Sequence, residues 1–521
     1  MLVHELLAES ARRFPAAIAL VTAEGAVPYS DLERLSNRFA HLYLSVGVSR
    51  GDRIVVALEN GVEMVAAYLG AMKAGAVAVP LPAGSRSDRL GPAIADCLPV
   101  ACVTDAVTAE APAQRERLAA IPAVFVTNGP RRAASRTQPE IEGTRSLSSA
   151  LERCPASPVD AETTSGDLAA IIYTSGSTGE PRGVMLTHRN FVANATSIVQ
   201  YLGLTAADRA LCVLPFNYVY GLSLLHTHLM VGGSLVIENR VAFPNVVLSS
   251  MEEHEVTGFA GVPSTFAFLL HRSNLAEARL PHLRYVTQAG GAMPVPRILE
   301  WLERGPRADF YVMYGATEAS ARLSYLPPAD LRRKLGSIGS AIPGVELRVV
   351  REDGGTAAPG EVGELVARGE NISPGYWNRP DETSERFGAG GYRTGDLGYA
   401  DSDGCLFLVG RLHDMIKVGA NRVGLREIED ALHDHAAVSE AAVVSAPDDL
   451  LGEVPIAFVT LRHPLPDAEP ALRAFCAARL APYKVPVRVA VLTELPKLTA
   501  GKVDKRTLRE QAFSVRTDAP A

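Results

Sequence analysis

Between residues 54 and 315 the chain alternates short apolar runs with helix-like stretches, and few folds accommodate that pattern. IVVAL (54–58) reads as a buried strand, GVEMVAAYLGAMKAG (61–75) as a helix and AVAVPL (76–81) as a second strand. Within the helical stretch, Val62, Met64, Val65, Tyr68, Leu69 and Met72 recur near helical spacing. Similar strand-like runs stand at 168–173, 234–238, 256–262, 284–290 and 309–315. Strands separated by a helix lie parallel when they share a sheet, because only a hairpin reverses the chain within a few residues. The expected architecture is therefore α/β with substantial parallel sheet. No fixed-period repeat competes with this reading.

Length and charge remove other classes. At 521 residues the chain has room for roughly three domain-sized units. Its net charge of −7 opposes wholesale nucleic-acid binding, and an apolar fraction of 47% opposes disorder. The N-terminus MLVHELLAESARR has no basic leader followed by an apolar stretch, and no run nears the roughly 18 apolar residues of a spanning helix, so a cytoplasmic protein without integral membrane association is expected. The six cysteines show no C-x-x-C spacing, so neither a zinc site nor a disulfide framework is indicated. Residues 127–166, rich in Arg, Ser, Thr and Pro, are expected to form an exposed connection. Only seven of the 51 Lys and Arg residues are lysine: Lys73, Lys334, Lys417, Lys484, Lys497, Lys502 and Lys505.

The strongest local signal is IIYTSGSTGEPRGV (171–184). A strand-like run ends at Tyr173, and Thr174, Ser175, Gly176, Ser177, Thr178 and Gly179 follow. Glycines let backbone N–H groups curl around an anion, and the hydroxyls add donors, which is what a polyphosphate requires. The order is neither a Walker loop nor a dinucleotide fingerprint.

YTSGSTGEPRGV resembles the phosphate-binding loop of the adenylate-forming superfamily, which includes acyl-CoA synthetases, aryl-acid ligases, luciferases and peptide-synthetase adenylation domains. The family's usual loop ends in P-K-G; here Arg182 replaces that lysine and keeps the cation. Further segments follow in the family's order: QAGGAM (288–293) resembles the adenine loop, YGATE (314–318) the Y-G-x-T-E element and YRTGDLG (392–398) the ribose turn. GRLHDMIKVGANRV (410–423) is similar to the hinge and the strand after it, and PKLTAGKVDKRTL (496–508) to the C-terminal lysine motif.

The resemblance implies a large multi-subdomain N-terminal region, residues 1–411, and a small mobile α+β domain, residues 412–521. It implies that ATP and a carboxylic acid form an acyl-adenylate and pyrophosphate, and that a thiol then takes the acyl group. Both first-step reactants are anions, so catalysis is largely positioning and charge neutralisation. Glu318 suits Mg2+, a hard cation that takes oxygen ligands, and Thr317 offers a hydroxyl to the α-phosphate. Tyr314 offers a ring face to adenine, with Gly315 beside it, and Gly290, Gly291 and Ala292 let backbone approach the nucleotide. Asp396 can accept from both ribose hydroxyls, with Arg411 adding a donor. Lys502 is expected between the substrate carboxylate and the α-phosphate. The family's small domain rotates between half-reactions and forms a tunnel for a pantetheine thiol. His413 stands at the hinge in place of the usual Asp or Lys. Lys417, Gly419 and Ala420 stand on the thiol route; Ala420 replaces a common second glycine and Leu425 a common proline.

LPFNYVYGLS (214–223) is similar to the acyl-ligase pattern P-L-F-H-V-Y-G-L. Tyr218 then takes the gate position, and Val219 the slot where amino-acid-activating domains carry an Asp. A buried ammonium needs a counter-charge that Val219 lacks, which disfavours ordinary α-amino acids. Tyr220, Phe259, Val262, Phe266 and Met313, with Gly290, are expected to line a largely apolar pocket for a fatty or aromatic acid. The acceptor is CoA or, alternatively, the phosphopantetheine arm of a carrier protein. A non-catalytic acyl or nucleotide sensor is the third reading, opposed by the retention of Lys502, Glu318, Thr317 and Asp396. Among the lysines, Lys502 is the expected catalytic cation, whereas Lys497 and Lys505 read as solvated surface.

Overall fold

The structure is a computed structural model that describes residues 1–84, 90–127, 143–175, 181–412, 415–419, 421–448, 450–497 and 503–517. Among the described residues, strands form a 14-stranded, an 8-stranded and a 5-stranded sheet. The alternation read in the sequence is present: Arg53–Ala57, Val77–Pro80, Leu168–Ser175, Ser234–Ile237, Gly258–Gly261, Tyr285–Gln288 and Asp309–Tyr314 are strands, and Val62–Lys73 is a helix.

In the largest sheet Ser234–Ile237, Arg209–Cys212, Gly258–Gly261, Tyr285–Gln288 and Asp309–Tyr314 run parallel side by side. From Asp309–Tyr314 onward the pairing becomes antiparallel, through Ser324–Leu326, Ser337–Ala341, Leu406–Arg411, Gly391–Ala400, Gly363–Gly369 and Val345–Val350. The chain therefore changes habit at Tyr314, and the loops at the carboxyl ends of the parallel strands converge there. Such ends are where open α/β sheets form their crevices.

The 8-stranded sheet is parallel from Leu168–Ser175 through Val77–Pro80, Arg53–Ala57, Ala101–Asp105 and Ala123–Thr127. The helix Val62–Lys73 is apolar around most of its circumference and buried from Met64 to Lys73, as expected of a helix with no solvent face. At its end Lys73 donates to Asn37 Oδ1 at 2.6 Å and pairs with Glu33 at 2.6 Å. The helix Val219–Val231 is likewise buried over nearly its whole length and stops at Gly232, φ +78, a left-handed cap. Helix His188–Leu202 starts in a reciprocal cap: Asn190 N–H donates to Thr187 Oγ1 and Thr187 N–H to Asn190 Oδ1.

The smaller sheet is built from Asn421–Gly424, Met415–Val418, Gly452–Leu461, Val438–Asp448 and Arg488–Val491, with helices Leu425–His433, Ala468–Ala477 and Lys505–Thr517. It has its own core around Ile428, Leu432, Val443 and Val459. It touches the larger body where Arg297 donates to the Ser439 carbonyl oxygen at 3.3 Å and Lys497 sits 5.4 Å from the Phe268 ring. No helix of the described residues is long and apolar enough to cross a membrane.

The 127–166 expectation needs correction. Residues 128–142 lie outside the described residues, but Arg145–Ser146 is a short strand and Leu147–Glu152 a helix. Leu147, Ala150 and Leu151 are buried; three apolar residues at helical spacing outweigh the polar composition around them. The lysine expectation also changes. Lys497 pairs with Glu440 and Lys505 with Glu429, both at 2.8 Å, and neither is simply solvated. Lys73, Lys334 and Lys484 are ion-paired too, whereas Lys417 is exposed with no ion pair among the described residues.

Candidate active site

Tyr314 ends the last parallel strand and its hydroxyl donates to Asp396 Oδ2 at 2.6 Å. Burial, helped by the Asp396 carboxylate, holds the phenol well above its ordinary pKa, so it stays a donor. Asp396 lies on Gly391–Ala400, in register with Arg411 on the neighbouring strand, whose Nε donates to Asp396 Oδ1 at 2.9 Å. The aspartate is buried while the arginine side chain is 68% exposed. Each carboxylate oxygen carries two lone pairs, so acceptor capacity remains on both after these bonds.

After Tyr314 the chain makes the 3-10 turn Thr317–Ala319, followed by two non-glycine residues of positive φ, Ser320 (+57) and Ala321 (+130). Such backbone costs about 1–3 kcal/mol per residue and persists only when its surroundings fix it. Here they do. Asn371 Nδ2 donates to the carbonyl oxygens of Ala319 and Arg322 at 3.1 and 2.9 Å. Asn194 Nδ2 reaches the same two oxygens at 3.5 and 3.2 Å, and Ser320 Oγ donates to the Asn371 carbonyl at 2.8 Å. Gly315 has no room for a side chain, since a Cβ there would lie 1.9 Å from the Ala321 carbonyl oxygen. The turn presents Thr317 and Glu318, both half-buried, at the carboxyl end of the sheet.

Glu318 Oε1 accepts from the Tyr376 hydroxyl at 2.9 Å. Burial, then the Glu318 charge, raises the Tyr376 pKa, so this phenol also remains a donor. The Arg182 guanidinium lies 5.3 Å from the Tyr376 ring centroid and its Nη1 donates to Glu382 Oε2 at 3.0 Å. A continuous chain of contacts thus runs from Arg182 through Tyr376 to Glu318. Thr174 pairs with Arg182 and Ser175 with Pro181 across the antiparallel strands that flank residues 176–180. Gly176, Ser177, Thr178 and Gly179 lie outside the described residues, as do His413, Ala420 and Lys502.

Gly290 follows the strand Tyr285–Gln288 at φ +83, where a Cβ would stand 3.0 Å from Val262. Gln288 Nε2 donates to the Gly291 carbonyl oxygen at 2.8 Å and shapes this loop, leaving Gly291 and Ala292 exposed. Tyr218 is the N-cap residue of the helix Val219–Val231, and Val219 is buried.

Behind the crevice, between helices and sheet, is a cavity of about 20 Å³ whose lining includes Tyr201, Ser223, His228, Phe259, Met313 and Arg322. Phe259 and Met313 were expected in a pocket. Phe266 was too, but it is fully buried against Phe259, Trp301 and Phe310 and belongs to the core. Val262, Tyr218, Val219, Tyr220 and Gly290 are not on this cavity's lining. Tyr220 instead donates to the Thr287 carbonyl oxygen at 3.0 Å. Sequence reasoning missed Tyr376, Glu382, Asn194 and Asn371, which act across 49 to 200 positions. It also missed Arg322, although a cation inside the apolar stretch after YGATE was a visible signal. Lys417 and Gly419 lie at the end of Met415–Val418, with Gly419 at φ +59 and its N–H donating to Leu451.

The donor set fits a magnesium nucleotide. Glu318 Oε2 has no hydrogen-bond partner among the described residues, and no cluster of three His, Cys, Asp or Glu side chains forms a protein-only metal cage among them. Mg2+ is usually held by one or two carboxylates plus phosphate oxygens and water, which is what a single free carboxylate oxygen offers.

Comparison with known proteins places this architecture. The family model "AMP-binding enzyme" matches residues 7–377, and "AMP-binding enzyme C-terminal domain" matches residues 427–502. A 2-succinylbenzoate–CoA ligase from Bacillus subtilis is 31% identical over 97% of this chain and 97% of its own length. The solved o-succinylbenzoate coenzyme A synthetase from Bacillus subtilis, in complex with ATP and magnesium ion, superposes with a TM-score of 0.81 at 30% identity, covering 97% of this chain and 98% of the other. An anthranilate CoA ligase in complex with anthranoyl-AMP superposes with a TM-score of 0.88 at 25% identity, covering 99% and 98%. The chain belongs to the AMP-binding enzyme family.

Proposed function

We propose that this chain activates a carboxylic acid with ATP, releasing pyrophosphate, and passes the acyl group from the acyl-adenylate to the thiol of CoA. The observation that carries the reading is the convergence of Tyr314, Thr317, Glu318 and Asp396 around one constrained turn at the carboxyl end of the parallel strands. Relatives that share nearly the whole chain are acid–CoA ligases by name.

In this reading Asp396 takes the ribose hydroxyls on its remaining lone pairs, with Tyr314 and Arg411 fixing its carboxylate plane. The opening at Gly290, Gly291 and Ala292 receives adenine against the Tyr314 ring. Arg182, steadied by Glu382 and Tyr376, attracts the phosphates together with Thr174, Ser175 and the glycines after them. Thr317 donates to the α-phosphate region. Glu318, oriented by Tyr376, holds Mg2+, which when bound supplies charge neutralisation on the phosphate oxygens. The acid carboxylate attacks the α-phosphorus in line with departing pyrophosphate, and Lys502 supplies the cation between the two anions.

Thioester formation follows when residues 412–521 turn about His413. Lys417, Gly419 and Ala420 then border the thiol route. The CoA sulfur attacks the acyl carbonyl and AMP leaves. Val219 provides no counter-charge for an ammonium, which disfavours ordinary α-amino acids and favours an acid with a largely apolar body.

The test is pyrophosphate release over an acid panel, with CoA or a phosphopantetheinyl carrier protein as acceptor. Acid-dependent pyrophosphate and an acyl-CoA product are expected. The absence of both, with ATP bound, would overturn the reading. Lys502→Ala is expected to abolish adenylate formation with ATP affinity retained.

A further inference from the structure

The small domain rests on two helices of the larger body, Pro263–Arg272 and Val295–Arg304. Arg297, buried on the second helix, donates through Nη1 to His271 Nε2 and through Nη2 to the Ser439 carbonyl oxygen at 3.3 Å. Ser439 stands near the start of strand Val438–Asp448, and Glu440 follows it. Glu440 Oε1 accepts from Lys497 Nζ at 2.8 Å, and the same ammonium lies 5.4 Å from the Phe268 ring centroid on the first helix. Arg272 lies 4.9 Å from that ring as well. A cation within about 6 Å of an aromatic centroid is attracted by the ring quadrupole, more strongly when water is withdrawn from it. The Lys497 side chain is only 16% exposed, and Glu440 fixes its position. Lys497 thus joins the two bodies, although its sequence surroundings read as solvated surface.

What Lys497 anchors is the start of the segment that carries Lys502. Lys497 pairs with Val503 in an antiparallel bridge, and Lys502 directly precedes Val503 in sequence. The points where residues 498–502 leave and rejoin the described fold are therefore side by side. Phe268 stands five positions along its helix from Pro263, about 7.5 Å of helix rise. Pro263 borders Gly291 and Val262 borders Gly290, since a Cβ on either glycine would stand 3.4 or 3.0 Å from them. The dock is thus on the helix that borders the opening proposed for adenine. The thiol-route residues have the opposite surroundings. Lys417 and Gly419 are exposed, and beside them Leu450 and Leu451 are 93% and 43% exposed. The docked face also carries like charges. Arg297 and His271 of the larger body face Arg462 and His433 of the small domain, with Glu300 and Glu440 to oppose them; burial, then the Arg462 charge, push the Arg297 pKa down. That repulsion weakens the docked orientation, so one favourable contact can decide how long it persists.

We propose that Lys497 is a positioning residue for acyl-adenylate formation: docked on Phe268, it holds the small domain in the orientation that brings the Lys502 segment to the crevice. This deepens the ligase reading and rests on it. Lys497 acts through the placement of Lys502 and not on a reacting atom. When the dock opens, the domain is free to turn and bring the exposed Lys417 and Gly419 to the crevice for thioester formation. Losing the dock therefore lowers the population competent for the first half-reaction and leaves that for the second intact or larger.

The experiment measures the two half-reactions of the full chain separately. The first is acid-dependent exchange of labelled pyrophosphate into ATP without CoA. The second is CoA-dependent release of AMP from a synthetic acyl-adenylate of the same acid, the one that the wild-type enzyme uses fastest across fatty and aromatic acids. In Lys497→Met the exchange rate is expected to fall about 5- to 30-fold, as for loss of a partly desolvated cation–π contact. AMP release is expected to stay at or above the wild-type rate. Lys497→Arg keeps the cation and is expected to recover most of the exchange. Phe268→Leu is expected to show the same split, and adding Lys497→Met to it to cost less than about twofold more, because both changes remove one contact. Unchanged exchange in Lys497→Met would overturn the proposal. Equal falls in both half-reactions at an unchanged melting temperature, or fully multiplicative losses in the double variant, would overturn it as well. Each of these leaves the ligase reading standing. If Lys497→Met does not fold, Phe268→Leu decides by the same split. Silence of the wild-type enzyme on every acid would remove the ligase reading and this proposal together.

Discussion

Replacing Asn371 by Ala tests whether the Thr317–Ala319 turn is held from outside. The change removes two donors, at 3.1 and 2.9 Å from the Ala319 and Arg322 carbonyl oxygens. At about 1 kcal/mol per bond, the gross loss is about 2 kcal/mol. Two offsets reduce it. Asn194 still reaches both oxygens, at 3.5 and 3.2 Å, and the change deletes Asn371 Oδ1, a buried acceptor without a partner. The net global cost is then about 1 kcal/mol, or a few degrees of melting temperature at most for a body this size. The local effect is larger. Ser320 and Ala321 at φ +57 and +130 together store about 2–6 kcal/mol, and the asparagine bonds oppose its release. With the support weakened, the turn relaxes and carries Thr317 and Glu318 with it. A misplacement of about 1 Å at a reacting centre costs about 100-fold. The expected outcome is a 10- to 100-fold fall in kcat for pyrophosphate release with a nearly unchanged melting temperature. A variant with kcat within about twofold of wild type would refute the claim that Asn371 holds the turn.

Three further outcomes follow from the geometry. Tyr376→Phe keeps the ring under Arg182 and deletes the donor to Glu318, so the Mg2+ concentration for half-maximal rate should rise several-fold; an unchanged Mg2+ dependence would refute the link. Asp396→Ala should weaken ATP binding by about 30-fold or more through two lost ribose bonds, measured by calorimetry with unreacted ATP, and unaltered affinity would count against the ribose assignment. Buried His226 and half-buried His433 have pKa values pushed down to about 3 and about 4, first by desolvation and, for His433, then by Arg297 and Arg462. Both are neutral when folded and titrate near 6.5 when unfolded. Their contribution is therefore complete above pH 6.5 and is lost as pH falls toward 4, at about 1.4 kcal/mol per pH unit for each. The melting temperature should drop across that window, less steeply in His226→Gln; equal steepness would refute the assignment for His226.

The parallel strands were legible because each is a short apolar run closed by glycine or a polar turn, and burial on both faces leaves no alternation to misread. Tyr314, Glu318, Asp396 and Arg411 were legible as motif members, and the strand register that brings Asp396 opposite Arg411 places them together. What holds them was not legible. Asn371 and Asn194 reach the turn from 52 and 125 positions away, and an isolated asparagine carries no local pattern. Tyr376 reads as one aromatic among many until the fold sets its hydroxyl on Glu318. Composition cannot separate Phe266, packed edge-on against Trp301 and Phe310, from Phe259, which lines the cavity. The lysines at 497 and 505 were misjudged because their partners, Glu440 and Glu429, lie on other elements.

The central claim is that this crevice makes an enzyme-bound acyl-adenylate before any thiol takes part. Exchange of labelled pyrophosphate into ATP, with acid and Mg2+ present and CoA absent, tests it most directly. The account predicts exchange that requires the acid, persists without CoA and disappears in Lys502→Ala. Exchange that appears only when CoA is added, or ATP cleavage to ADP and phosphate with no exchange at all, would contradict it.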